Sequence, residues 1–151
     1  MELLVAALGW SRSDGRGDTT SVVQNYRNLL VWQKAHTLAV SVKKKTERLR
    51  DRTGAVTQAR RSALSIPSNI AEGCNRGSNR DFAKFVQVSI GSSSELEYQL
   101  EYARDTDVLK RTDANQLLEQ VVEVRRMLYG LLKRLREGPD KSKDSATQHR
   151  G

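Results

Sequence analysis

Between residues 112 and 136 the sequence places an apolar side chain at every third or fourth position without a break. The series consists of Ala114, Leu117, Val121, Val124, Leu128, Leu131 and Leu135. This spacing puts every member on one face of an α-helix of about seven turns. Such a helix is stable in water only when other parts of the protein cover its apolar face. The rest of the chain must therefore supply helical partners.

Three further amphipathic segments meet that need. The first follows Asn28 and carries its apolar face on Val31, Ala35, Leu38, Val42 and Leu49, with Thr46 in the remaining seam position. The second runs from Gly54 to Gly73, and the third begins at a capping pair, Ser78 with Asp81. Aromatic residues make up only 5% of the chain, which disfavours an all-β fold. We predict an all-α protein, an antiparallel up-and-down four-helix bundle over residues 25–136.

Two features predict details of the packing. Pro67 lies inside the second segment, and its ring removes the bond to the carbonyl of Ala63, so we expect a kink or a break into two short helices. The middle of the third segment consists largely of small residues, Ser89, Gly91, Ser92 and Ser93. These should let a neighbouring backbone approach closely near Pro67.

The two ends of the chain differ in composition from the middle. We predict a flexible leader over residues 1–24 and a disordered tail over residues 137–151, because both are polar and lack helical periodicity. The apolar run Leu3–Leu8 is too short for a signal peptide or a membrane span. The single cysteine, Cys74, cannot form an internal disulfide, so we expect a cytoplasmic protein without a membrane partner.

The chain is basic, with 26 Lys and Arg against 18 Asp and Glu and a formal net charge of +8. Residues 1–27 and residues 137–151 each contain three basic and three acidic side chains, so the positive excess lies on residues 28–136. A basic folded surface attracts polyanions such as RNA and DNA, although the same charge could serve only solubility. The candidate nucleic-acid contacts are Lys43, Lys44, Lys45, Arg48, Arg60, Arg76, Arg80 and Lys84.

A second set of polar residues points to structure rather than to chemistry. Arg61, Ser65, Asn69 and Glu72 recur at spacings of four, four and three along one side of the second helix. Together with Glu95 they are predicted to form a buried polar network that fixes the register of the helices. An acid and base pair of Glu72 and Glu95 is the less favoured interpretation.

No arrangement typical of an enzyme is present. His36 and His149 are the only histidines, and Cys74 has no nearby histidine to activate it. No Cys or His spacing indicates a metal site. We therefore expect a non-enzyme, with no catalytic residue, no metal and no cofactor.

Three stretches carry a family resemblance: residues 25–35, 65–73 and 91–100, in that order. They resemble the signature stretches of the four-helix-bundle proteins encoded by 23S rRNA intervening sequences, over about Tyr26 to Arg136. The resemblance implies a bacterial cytosolic bundle that assembles as a ring-shaped homopentamer. The chain is also similar to the accessory variability determinant of diversity-generating retroelements, a basic bundle that partners a reverse transcriptase and nucleic acid. The loop from Arg50 to Gly54 departs from the family pattern, since it lacks the usual Phe-Pro and Tyr-Gly elements.

The leading hypothesis is a non-enzymatic, oligomeric accessory protein that binds RNA or DNA phosphates without reading bases. The alternative is a protein-interaction scaffold that docks a partner such as a retroelement reverse transcriptase. Self-association is expected because Leu118, Val122 and Leu132 widen the apolar stripe of the fourth helix. Trp32, Tyr98 and Tyr102 are interpreted as core or interface residues rather than as stacking platforms for bases.

Overall fold

The computed structural model describes residues 25–138, which form four α-helices joined by short loops. A 3-10 turn, Tyr26–Asn28, leads into α1 (Leu30–Thr46), which is followed by α2 (Ala55–Cys74), α3 (Asn79–Asp105) and α4 (Arg111–Glu137). Within residues 25–138 there is no β-strand. The predicted leader and nearly all of the predicted tail, residues 1–24 and 139–151, lie outside the described residues.

Contacts between the helices give an antiparallel arrangement. The end of α1 meets the start of α4, where Lys45 Nζ lies 2.6 Å from Asp113 Oδ1, and earlier in α1 Lys34 Nζ lies 3.2 Å from Glu123 Oε1 further along α4. Likewise Arg125 of α4 pairs with Glu97 of α3. Each helix packs against two neighbours, and α4 closes the bundle against α1. The predicted fold class is confirmed.

This topology defines two ends of the bundle. The upper end contains the α1–α2 loop, residues 47–54, and the α3–α4 loop, residues 106–110. The lower end contains the 3-10 turn, the α2–α3 loop of residues 75–78, and the end of α4. Because α2 has 20 residues, the two ends are about 30 Å apart.

The periodic apolar residues form the core. The largest side chains that are almost completely buried include Leu38, Ile66, Leu96, Leu100, Leu117, Leu128 and Leu131. Thr46 fills its seam position as predicted, at 1% exposure. Leu132 is also buried and contributes to the core of its own protomer. The prediction that it widens an outer apolar stripe for contact with another subunit is therefore wrong.

The helix α2 continues through Pro67 without interruption, so the alternative of two short helices is wrong. Ile66 and Pro67 are both buried where α2 packs against its neighbours. This packing explains why the helix stays unbroken although the proline ring removes a backbone hydrogen bond. The predicted close approach of α3 is confirmed. Ser89 Oγ donates a hydrogen bond of 2.9 Å to the carbonyl of Ile66, and Ser92 Oγ lies 2.8 Å from Ser65 Oγ.

Candidate nucleic-acid interface

The first group of candidate contacts lies where α1 ends at the upper end of the bundle. Thr46 donates its hydroxyl proton back to the carbonyl of Val42, at 2.6 Å. Arg60 of α2 then donates from Nε to Thr46 Oγ1, at 2.8 Å, and from Nη2 to the carbonyl of Thr46. This guanidinium adds a second donor to the carbonyl of Thr46 at the end of α1, which also accepts from the backbone N–H of Leu49. Arg60 is therefore half-buried and engaged in capping α1, although it was predicted as a phosphate contact.

The α1–α2 loop is folded around the carboxylate of Asp51. Asp51 Oδ1 accepts from the backbone N–H of Thr53 at 2.8 Å, and Oδ2 accepts from the N–H of Val56 at 2.7 Å. Burial raises the pKa of Asp51, but the hydrogen bonds from Thr53 and from the backbone of Val56 outweigh it and hold the pKa below its usual value. The carboxylate thereby fixes the start of α2 and the path of the α1–α2 loop.

The result is a cluster of exposed cations on the α1–α2 side of the upper end. We call it the upper basic patch, and its members are Lys43, Lys44, Arg48, Arg50 and Arg52. Among the described residues, the only acidic partner of Lys43 is Glu47, at 3.7 Å, and the other four cations have none. Lys45 behaves differently, because it binds Asp113 and Gln116 of α4 and its charge is neutralised there.

The remaining candidates lie at the lower end and not beside this patch. Arg76 pairs with Glu72 and stacks over the ring of Phe85, 4.8 Å from its centroid. Lys84 binds Asp81 at 2.9 Å, and this hydrogen bond, with a second from Ser78, lowers the pKa of that carboxyl. The structure therefore divides the eight predicted contacts between two sites about 30 Å apart.

One residue of the lower group has no acidic partner in the described part of the chain. Arg80 is exposed and lines an open groove of about 390 Å³ between the start of α3 and the end of α4. Arg136 lines the same groove, together with Lys84 and Gln87. The eight contacts predicted from the sequence do not include Arg136, Arg50 or Arg52. The antiparallel order of the helices was the signal for Arg136, since it brings the end of α4 beside the start of α3.

The predicted polar network is smaller than expected. Asn69 donates to the carbonyl and to the hydroxyl of Ser65, at 2.8 and 3.0 Å, and Ser65 contacts Ser92. Glu72 turns to Arg76 instead, and Arg61 and Glu95 are exposed to solvent. The structure thus brings together only two of the five predicted members, Ser65 and Asn69.

Aromatic side chains occupy two different environments. Trp32 is stacked on His36, with ring centroids 5.0 Å apart, and packs against the core. Tyr98 and Tyr129, in contrast, are 66% and 56% exposed on α3 and α4. Val122 is also exposed on α4, close in sequence to Arg125, which joins the two helices. Leu64 of α2 and Val88 of α3 are exposed as well. We call four of the exposed residues on the adjacent helices α3 and α4, namely Tyr98, Tyr102, Val122 and Tyr129, the exposed apolar face.

Within residues 25–138 no three His, Cys, Asp or Glu side chains lie close enough together to hold a metal ion. Burial raises the pKa of the Cys74 thiol, which disfavours the reactive thiolate. None of the helices over the same residues combines the length and the apolar character needed to cross a membrane.

Comparison with known proteins gives a family and a related structure. The model of the family described as 23S rRNA-intervening sequence protein matches residues 27–130. A crystal structure of a protein of unknown function from the S23 ribosomal protein family of Bacteroides thetaiotaomicron superposes with a TM-score of 0.64 at 24% identity. The alignment covers 69% of this chain and 96% of that one, and it supports the fold. A search of curated proteins gave no match.

Proposed function

The chain belongs to the 23S rRNA-intervening sequence protein family, and from that premise we propose that it is a non-enzymatic cytoplasmic accessory protein that binds RNA or DNA phosphates through the upper basic patch. One observation carries this proposal. Lys44, Arg48, Arg50 and Arg52 are exposed together, without an acidic partner in the described residues, on a helix end and loop that internal hydrogen bonds hold in place.

The charges in this part of the bundle are unevenly distributed. Residues 42–60 contain seven basic and two acidic side chains, whereas residues 99–117, on the α3–α4 side of the same end, contain three basic and four acidic ones. The positive potential is therefore confined to the α1–α2 side. Lysine and arginine on such a surface bind phosphates without sequence preference, by releasing the counterions of the nucleic acid.

The salt dependence of binding gives a quantitative test. Each phosphate contact contributes about −0.9 to the slope of log K against log salt on duplex DNA, and about −0.7 on a single strand. The upper basic patch has five cations, so we expect a slope of about −3.5 on a single strand and about −4.5 on duplex DNA if all of them contact phosphates.

The variant Lys44→Glu with Arg48→Glu tests the patch directly. Fluorescence anisotropy on labelled RNA and DNA should show at least a tenfold loss of affinity and a slope less steep by about two contacts. Lys45 is left unchanged, because its contact with Asp113 joins α1 to α4.

The matched control is Arg61→Glu with Arg126→Glu, which changes the net charge equally. Both residues are exposed in the middle of the bundle and have no acidic partner in the part of the chain that the structure describes. This control should keep the wild-type slope. An equal loss of affinity in both variants would show that net charge, and not the patch, governs binding.

We further propose that the protein is a homo-oligomer, a pentamer by family resemblance, that associates through the exposed apolar face. Exposed aromatic residues are enriched at interfaces between subunits. Light scattering on Tyr98→Glu should show a lower mass than the wild type, with an unchanged helical circular dichroism spectrum. An unchanged mass would place the interface elsewhere.

The same face favours one alternative, a scaffold that docks a protein such as a retroelement reverse transcriptase. The two functions differ in a property of the isolated protein. A scaffold whose positive charge serves only assembly shows no binding to RNA or DNA even at low salt.

A further inference from the structure

We infer that each protomer has two separate phosphate-binding surfaces, one at each end of the bundle, and so holds two segments of nucleic acid at once. This inference rests on the proposed function and extends it. The second surface is the groove between the start of α3 and the end of α4, which we call the lower basic groove and which contains Arg80, Lys84 and Arg136.

The distribution of charge along the bundle carries the argument. The upper third, residues 42–60 and 99–117, has ten basic and six acidic side chains. The lower third, residues 25–30, 70–85 and 131–138, has seven basic and three acidic ones. The middle third between them has four of each. The whole positive excess of the described residues is thus divided equally between the two ends.

The two ends act independently because of the distance between them. They lie about 30 Å apart, and the Debye length at physiological ionic strength is about 8 Å. A phosphate bound at one end therefore gains almost nothing from cations at the other. The middle third exposes the carboxylates of Glu95 and Glu119, so a strand crossing from end to end would pass over a surface without net attraction.

The lower basic groove has the composition expected of a phosphate site. Arg80 and Arg136 approach it from two different helices, and the described residues offer neither of them an acidic partner. Asn79 and Gln87 line the same groove and add amide donors. Its open shape suits a phosphodiester backbone lying across it, which needs no enclosed pocket.

Counting bound ligands per protomer tests the inference, because that number does not depend on the oligomeric state. A DNA hairpin with a stem of six base pairs is about 20 Å long, too short to reach both ends. Isothermal titration of the full chain in low-salt buffer should give two hairpins per protomer.

Two variants assign the sites. Arg80→Glu with Arg136→Glu should reduce the number of hairpins bound at wild-type affinity to one. Lys44→Glu with Arg48→Glu should also reduce that number to one, because the three remaining cations of the upper basic patch bind at least tenfold more weakly. The combination of all four changes should give none. The control Arg61→Glu with Arg126→Glu should keep two, and circular dichroism verifies that every variant is folded.

The possible failures are distinguishable. One hairpin per wild-type protomer, lost only in the upper variant, overturns the inference and leaves the proposed function standing. One hairpin that is lost in either variant indicates a single composite site and also overturns the inference. No binding by the wild type refutes the proposed function itself.

Discussion

The substitution Gly73→Ala tests how closely α2 and α3 pack at the lower end. A Cβ built on Gly73 lies 2.6 Å from Cδ2 of Phe82 and 2.8 Å from Cβ of Phe85. Real Cβ atoms essentially never come this close to another atom, so something must move. The ring of Phe82 has some freedom to turn, but Cβ of Phe85 is fixed by the backbone of α3. We therefore expect α3 to shift or the side chain of Phe82 to leave its preferred rotamer.

A second glycine provides the reference from which the magnitude follows. Gly91 lies in α3, is exposed, and has no atom within 4 Å of its built Cβ. Alanine there should stabilise the protein by about 1 kcal/mol through helix propensity alone. Both substitutions add the same methyl group in a helix, although Gly73 is the penultimate residue of α2 and gains less from propensity than Gly91 does. The rest of the difference between them is the overpacking at Gly73, about 1–3 kcal/mol.

Urea denaturation at one fixed protomer concentration measures this difference. For a domain of this size it corresponds to a separation of about 4–12 °C in Tm, with Gly91→Ala above the wild type and Gly73→Ala below Gly91→Ala. In a double-mutant cycle, Gly73→Ala should cost less beside Phe82→Val than beside Phe82, because valine has no Cδ2 to meet the new methyl group. If Gly73→Ala is as stable as Gly91→Ala, the close packing described for α2 and α3 is refuted.

Three further changes test single contacts. Asp51→Ala should lower the free energy of unfolding by about 0.5–2 kcal/mol through loss of the helix cap, measured in urea. Because folding lowers the pKa of Asp51, the stabilisation by its carboxylate is fully present above about pH 3.8 and is lost as the pH falls through the pKa of the folded state. The stability of Asp51→Ala should therefore depend less on pH in acid than that of the wild type. Glu97→Gln should likewise flatten the loss of stability below about pH 4.5, since the hydrogen bond from Arg125 lowers the pKa of Glu97; an unchanged acid dependence would contradict the pairing. Ser89→Ala should cost about 1 kcal/mol, because it leaves one fewer donor for the carbonyl of Ile66, and no change would mean that water replaces it.

The helices were predictable from the sequence because the signal is local and repeated. The seam from Ala114 to Leu135 needs only a period between three and four to specify a buried face, and all of its members are buried. The capping pair Ser78 and Asp81 is equally local, and the structure places Ser78 at the start of α3, accepting from the N–H of Asp81.

Pro67 was harder to interpret because the outcome depends on tertiary packing. Ring geometry alone leaves a kink and a break as alternatives. It cannot include the burial of Pro67 or the contact that Ser89 makes with the preceding carbonyl, both of which accompany the unbroken helix. Local preference is a weak guide wherever neighbouring helices hold the backbone in place.

The candidate contacts could be identified from charge but not arranged in space. The sequence indicates that Lys45 and Arg60 are basic, but not that the first binds Asp113 and the second caps α1. Such assignments depend on partners up to 68 residues away in the chain. The separation of Lys44 from Arg80 follows from topology, once the helices are known to alternate in direction.

The way α1 and α4 meet has a consequence for folding. Hydrogen bonds of Ser89 and Ser92 join α3 to α2 across 23 and 27 positions of the chain, whereas α1 and α4 are joined across 68 positions or more. Closing the longer loop costs more chain entropy, so the central hairpin is expected to form before the outer pair. Native-state hydrogen exchange should then reveal a partially open form in which α2 and α3 stay protected while the backbone amides of α1 exchange first. Because the α1–α2 loop carries most of the upper basic patch, that opening would disperse the patch before the bundle unfolds as a whole.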